Sequence, residues 1–279
     1  MSNLFSGLEE FGLNNLSNIN IYEDSEKSAG EEAKKSQQNT FSEEDIIYDR
    51  SYTCPVCNKD FKAKTVKVGK LKLQSLDTDL RPKYQLADPL KYDAILCPNC
   101  GYAALNRFFN HITGSQADLI KKNISVKYKH VEESENIYTY DTAIARHKMA
   151  LINSIVKKAK LSEKAYTCLK TAWVIRGKRE TLPEDTPNYK ETVEKLLQEE
   201  KEFISNAYEG FSEAYMKEEF PMCGMDVNTI TLLVAELARK VGKYDECSRW
   251  ISKILISKEA SERIKEKARE IKEMLKEGM

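Results

Sequence analysis

Two Cys-Pro-x-Cys quartets, Cys54-Pro-Val-Cys57 and Cys97-Pro-Asn-Cys100, constrain this chain more than any other feature. A Cys-x-x-Cys turn aims both sulfurs at one cation while backbone N–H groups donate to the thiolates. It needs a residue tolerant of left-handed geometry just after the second cysteine. Asn58 and Gly101 occupy those two positions, and they are the residue types best suited to them. Two such turns on adjacent hairpins would bring Cys54, Cys57, Cys97 and Cys100 into a tetrahedral four-sulfur, zinc-ribbon-like site. Four thiolates close the coordination shell, so the expected cofactor is structural Zn2+. Iron in a rubredoxin-type site has the same ligand set and stands as the alternative metal. A thioredoxin-like redox motif would use one pair at a strand-to-helix junction, not two matched pairs.

The residues around the quartets alternate as strands do. In "FKAKTVKV", Phe61 and Ala63 share one face and Lys62 and Lys64 the other, and the phase flips near Gly69, as a bulge or hairpin turn requires. "KYDAILC" reads as a strand running into the second pair, whereas "DTDLRPKYQLADPL", with Pro82 and Pro89, reads as irregular. From about residue 140 the period becomes helical. Ile144, Met149, Ile152, Ile155 and Val156 recur at three- and four-residue steps, and Ala165, Leu169, Ala172, Trp173 and Ile175 do so after "AKLSE", where Ser162 is a candidate cap. "TLPEDTPN" and "EFPMCGMD" interrupt a long helix at its two ends, two more helices flank "KVGKYDE", and a last one fills 260–276. The fold class expected is α+β, mostly α: a small zinc-ribbon-like β module followed by α-hairpin repeats.

Charge divides the chain further. Residues 1–46 hold ten acids against three lysines, whereas residues 47–113 hold eleven basic residues against six aspartates. The polar stretch 20–46 cannot bury enough apolar area to offset its conformational entropy and is expected to be disordered. Before it, Leu4, Phe5, Leu8 and Phe11 sit at helix-like offsets that allow a short amphipathic helix. The domain reading is 1–46 acidic leader, 47–113 four-cysteine module, 114–139 connecting segment and 140–279 helical domain. Seven cysteines, an odd number, fit a reducing compartment, and neither a transmembrane run nor a secretory signal is apparent. The expectation is a cytoplasmic protein with no membrane partner.

The remaining chemistry-bearing residues suggest no reaction. His111 follows the module closely, but four ligands are already supplied, and His130 and His147 stand alone. Cys168 and Cys247 read as small core residues, and Cys223 has no activating histidine nearby in sequence. The two carboxylates and the arginine of "DTDLRP" read as a fold-stabilising ion pair before a catalytic dyad. No phosphate loop, serine elbow or His-Glu-x-x-His helix occurs.

Several of these features together resemble an uncharacterised bacterial family of unknown function. The four cysteines, Asp77-x-Asp79 with Pro82 and Tyr84, and Tyr92-Asp93 before the second quartet match its N-terminal pattern; Asn58 departs from it, since glycine is usual there. "KAYTCLKTAWVIRG" is similar to its Ala…Leu-x-x-Ala-Trp…Arg helix. In "LLVAELARKVGKYDECSRWISKIL", Gly242, Tyr244 and Leu255 sit where a tetratricopeptide unit places its turn glycine, packing aromatic and second-helix core residue, with Cys247 replacing the usual alanine. The resemblance spans residues 47–277 and implies a tetratricopeptide-like helical tail, but no reaction. The functional expectation is a non-enzymatic scaffold that binds another protein through the helical tail. The alternatives are nucleic-acid binding through Lys59, Lys62, Lys64, Lys67, Lys70 and Lys72, and a thiol redox or metal-dependent enzyme.

Overall fold

A computed structural model describes residues 42–130 and 136–277. The amphipathic helix expected near the N-terminus, and most of the acidic leader, lie outside the described residues. The fold is α+β and mostly helical. Among the described residues, no helix is long and apolar enough to cross a membrane.

The described chain opens on one helical turn, α1 (Glu43–Ile46), and β1 (Ile47–Thr53) follows directly. This turn falls within the stretch expected to be disordered. Ile46 is buried against Val66, Ala87, Tyr92 and Tyr138, and Glu43 accepts hydrogen bonds from Lys91 Nζ (2.9 Å) and Tyr92 Oη (2.8 Å). One apolar anchor and two charge-assisted bonds thus oppose the entropy that composition alone predicts to win.

Among the described residues, three two-stranded antiparallel sheets make up the β portion. β1 pairs with β2 (Asp60–Val66), in register from Ile47↔Val66 to Thr53↔Asp60. β3 (Leu73–Leu76) pairs with β4 (Pro82–Tyr84), and β5 (Ala94–Leu96) with β6 (Ala103–Leu105). The phase flip at Gly69 is a single 3-10 turn over Val68–Lys70, after which β3 turns away from β2 to pair with β4. The proline-rich stretch expected to be irregular supplies β4 and a 3-10 turn, Pro89–Tyr92. Asp88 caps this turn by accepting from the Leu90 N–H, and Pro89 at its first position lacks only an N–H the turn does not need. The connecting segment is likewise ordered in part. A reciprocal Thr113–Gln116 cap starts α2 (Gly114–Ile120), which widens into a π turn over Lys121–Ser125.

Six helices follow: α3 (Tyr140–Val156), α4 (Leu161–Glu180), α5 (Tyr189–Lys217), α6 (Val227–Lys240), α7 (Tyr244–Ile256) and α8 (Glu262–Glu277). Each packs on the next, and α8 also reaches α6. The apolar stripes of α4 to α8 close one core around Leu169, Trp173, Tyr208, Phe211, Leu233 and Ile254. Burying each such side chain contributes about 1.5–3 kcal/mol. Glycine at 210 permits the close crossing of α4 and α5, since a Cβ there would stand 2.8 Å from the Ala165 Cβ. Ser162 lies inside α4 and is not its cap. Its Oγ and N–H both donate to Glu218 beyond the end of α5, at 2.5 and 3.2 Å, so a carboxylate from a neighbouring helix end serves the positive N-terminus of α4.

The β5–β6 hairpin lies against α3. Ala94, Ala103 and Leu105 are buried with Ala150 of that helix, small residues on both sides allowing close approach. The second cysteine pair is therefore presented from a buried hairpin clamped to the helices.

Candidate metal centre

The two cysteine turns are built alike. Cys54–Cys57 links β1 to β2, and Cys97–Cys100 links β5 to β6. In the first, Cys54 N donates to Lys59 O at 3.0 Å and Asn58 N to Cys54 O at 2.9 Å; in the second, Cys97 N donates to Tyr102 O at 2.8 Å and Gly101 N to Cys97 O at 3.0 Å. Asn58 and Gly101 both adopt left-handed backbone, with φ of 58° and 73°. Glycine carries no steric penalty there, and asparagine is the side chain that tolerates the region best.

Because the turns match, their sulfurs meet. All four lie within 4.8 Å of one another, with Cys54 Sγ 3.6 Å from Cys100 Sγ and Cys57 Sγ 3.7 Å from Cys97 Sγ. A disulfide would require about 2.05 Å. A tetrahedral cation with metal–sulfur bonds of about 2.3 Å would place its ligands about 3.8 Å apart, which these spacings fit. The Val56 N–H points at Cys54 Sγ from 3.4 Å and the Asn99 amide at Cys97 Sγ from 3.9 Å. Hydrogen bonds from Cys100 and Cys54 pull the Cys97 thiol down to about 2, while Cys54 and Cys97, helped by burial, push Cys100 up. Sulfurs packed this closely ionise together only if a cation offsets their charge. The donor set suits zinc or iron, and the four cysteines could hold either.

An apolar wall and a second layer of hydrogen bonds hold the turns in place. Tyr52, Phe61, Tyr102 and Phe109 pack edge-to-face and stacked at ring separations of 5.1–6.0 Å, and the buried Tyr102 hydroxyl donates to Phe109 O at 2.9 Å. The Tyr128 ring lies over Gly101, and His130 Nδ1 pairs with Pro98 O at 3.0 Å. From α3, the fully buried Asn153 donates its side-chain N–H to Gly101 O at 3.0 Å. The sequence reading missed Asn153. Its signal was a polar residue in the stripe Ala143, Ile144, Ala150, where a buried amide demands a partner.

The other candidates stay outside this group. Among the described residues, the four cysteines form the only cluster of three or more histidine, cysteine or carboxylate side chains close enough to hold an ion. His111 is exposed. His147 is fully buried, its ring N–H donating to Ala143 O at 2.8 Å, and burial lowers it to about 4. Burial raises the Cys168 and Cys223 thiols to about 12 and Cys247 to about 11, which leaves little thiolate for nucleophilic attack. Among the lysines, Lys64 pairs with Asp49 at 3.0 Å and Lys67 donates to the Asp45 carbonyl at 3.2 Å. "DTDLRP" enters a buried ionic network: Arg176 of α4 holds Asp79 with two hydrogen bonds, Asp77 with one, and Glu200 of α5 with a fourth.

The profile of the family described as "Uncharacterized protein conserved in bacteria (DUF2225)" matches residues 47–275. The chain belongs to this family. Its matched span runs from β1 to the last turns of α8 and so contains both cysteine turns and every helix of the core. No curated protein and no solved structure is a significant match to the chain.

Proposed function

We propose that this chain is a non-enzymatic scaffold for protein–protein interaction, given its shape by a structural zinc ion and acting in a reducing compartment such as the cytoplasm. Cys54, Cys57, Cys97 and Cys100 hold the Zn2+ in a zinc-ribbon-like module, and the tetratricopeptide-like pairs among α3–α8 present the partner surface. The observation that carries this reading is the sulfur geometry. Four thiolates at tetrahedral spacing fill the coordination shell of zinc, and a filled shell serves folding, having no place for substrate. Successive helix pairs with a close small-residue crossing supply the extended faces on which stacked helices hold peptides. The raised thiols of Cys168, Cys223 and Cys247 agree with this reading. The nucleic-acid reading has less support, because Lys64 and Lys67 already have acidic or carbonyl partners.

The test is affinity capture with the intact, zinc-loaded chain from the native host, followed by reconstitution with the purified partner. A stoichiometric complex that co-elutes in size exclusion is expected. Retention of chaperones alone, or turnover of a substrate by the isolated chain, would overturn the reading.

A further inference from the structure

The turn Asp77–Arg81 joins β3 to β4, yet its surroundings differ from those of the strands it connects. All of β3 is exposed and β4 is half-buried, whereas Asp79 has no exposed surface and Arg81 is 5% exposed. The hairpin touches the helices chiefly with its tip. Asp79 accepts from Arg176 of α4 at 3.1 and 2.6 Å and lies 3.6 Å from Lys240 of α6. Asp77 accepts from the same arginine at 3.0 Å, Thr78 donates to Glu236 of α6 at 2.5 Å, and Arg81 donates to Glu180 of α4 at 3.0 Å. The tip itself engages α4 and α6, and Glu200 of α5 completes the shell of Arg176 at 2.6 Å.

Two further observations mark the tip as a ligand in its site. Leu80 packs against the helical core with a left-handed backbone, φ 69°. That conformation costs a leucine about 1–2 kcal/mol, so the shape of the tip is maintained by what it docks into. Beside the dock, a cleft of about 290 Å³ runs between α5 and α6, lined by Leu197, Lys201 and Ile204 together with Lys240, a partner of Asp79, and Glu200, a partner of Arg176. A segment longer than the tip would have somewhere to go.

We propose that the groove across α4, α5 and α6 is a peptide-binding site occupied in cis by the Asp77–Arg81 turn. Its partner in trans is a protein segment with two carboxylates two residues apart, followed by an apolar residue and an arginine. Arg176 and Lys240 take the carboxylates, Leu80 marks the apolar subsite, and Glu180 takes the arginine. This inference rests on the interaction reading above and names the partner's chemistry. The short tether gives the tip an effective concentration in the millimolar range, so a segment in trans must outcompete it, and the contact regulates access as well as marking specificity.

The probe is a fluorescein-labelled, end-blocked peptide with the sequence of residues 75–83, and a scrambled peptide is the control. Anisotropy is read on the zinc-loaded full chain and on the Asp77→Ser, Asp79→Ser double variant, which removes the three hydrogen bonds by which Arg176 holds the tip and substitutes no residue of the helices. Binding to the double variant is expected, roughly tenfold or more weaker on the natural chain, and lost on adding Lys240→Ala. Failure of the peptide to bind a folded double variant overturns the proposal. Should the double variant not fold, hydrogen exchange on the natural chain decides. The Leu80 amide, which donates to Asp77 O at 2.9 Å, should exchange faster than the α4 and α6 amides and faster still with millimolar peptide. Exchange only by global unfolding, insensitive to peptide, would make the tip a permanent part of the fold and refute the inference. A captured partner whose retention ignores the peptide would refute this inference and leave the scaffold reading standing.

Discussion

Gly101 and Asn58 hold equivalent places in the two cysteine turns but have different surroundings, and alanine at each should separate backbone strain from packing. Both have left-handed φ, 73° and 58°, where an ordinary side chain costs about 1–2 kcal/mol. Asn58 is exposed and already carries a side chain, so Asn58→Ala adds only the difference in tolerance, about 0.5–1 kcal/mol. At Gly101 a Cβ would stand 2.5 Å from Cγ and Cδ2 of Tyr128, and the ring would have to move. Overpacking of that kind adds about 1–3 kcal/mol, for a total of about 2–5 kcal/mol. Urea denaturation with Zn2+ in the buffer reads this as a lowered midpoint at constant slope. The clash share should return in the Gly101→Ala, Tyr128→Ala double variant relative to Tyr128→Ala alone. Equal midpoints for Gly101→Ala and Asn58→Ala would refute the reasoning, because Tyr128 would then place no constraint on the second turn.

Two further outcomes follow from buried polar groups. Asn153→Leu keeps the branched heavy-atom shape but leaves Gly101 O unpaired, and removing the amide's own unpartnered oxygen offsets part of that loss. A net cost of about 1–2 kcal/mol is expected, with faster zinc release to a chelator; unchanged release would contradict a link between α3 and the second turn. His147 is held neutral down to about 4, against about 6.5 in the unfolded chain, so the unfolded state binds the extra proton first. Stability should therefore fall by about 1.4 kcal/mol per pH unit from about 6.5 toward 4, and His147→Gln should flatten that part of the urea-midpoint profile. Parallel profiles would remove His147 from the account.

The cysteine cluster was legible because its requirements are local. Two cysteines two residues apart, with Asn58 or Gly101 behind them, specify a turn without reference to the rest of the chain. The helices were legible for the same reason, their apolar period surviving through α3 to α7 and prolines or glycines marking the breaks. Long-range pairings were not. Nothing near Gly69 says that β3 will leave β2 for β4, or that the turn between β3 and β4 will place Asp79 on Arg176, 97 residues away. Ser162 read as a cap by local rules, but Glu218, 56 residues on, supplies the acceptor. Glu43 and Ile46 sit in a stretch whose composition argues for disorder, and their contacts with distant residues such as Lys91, Tyr92 and Val66 help to order them. Polar residues in apolar stripes, such as Asn153 and Arg176, were the usable hint, because a buried donor implies an unseen acceptor.

The central claim is that Cys54, Cys57, Cys97 and Cys100 together hold one zinc ion. Its most direct test is elemental analysis of the purified chain beside the Cys97→Ser, Cys100→Ser double variant, with native-state alkylation read on both. The account predicts about one zinc per natural chain, these four thiols slow to alkylate and releasing metal as they react, and no bound metal in the variant. Equimolar iron would change the ion and keep the site. Undiminished metal in the double variant, or four freely alkylating thiols in a natural chain that carries none, would contradict it.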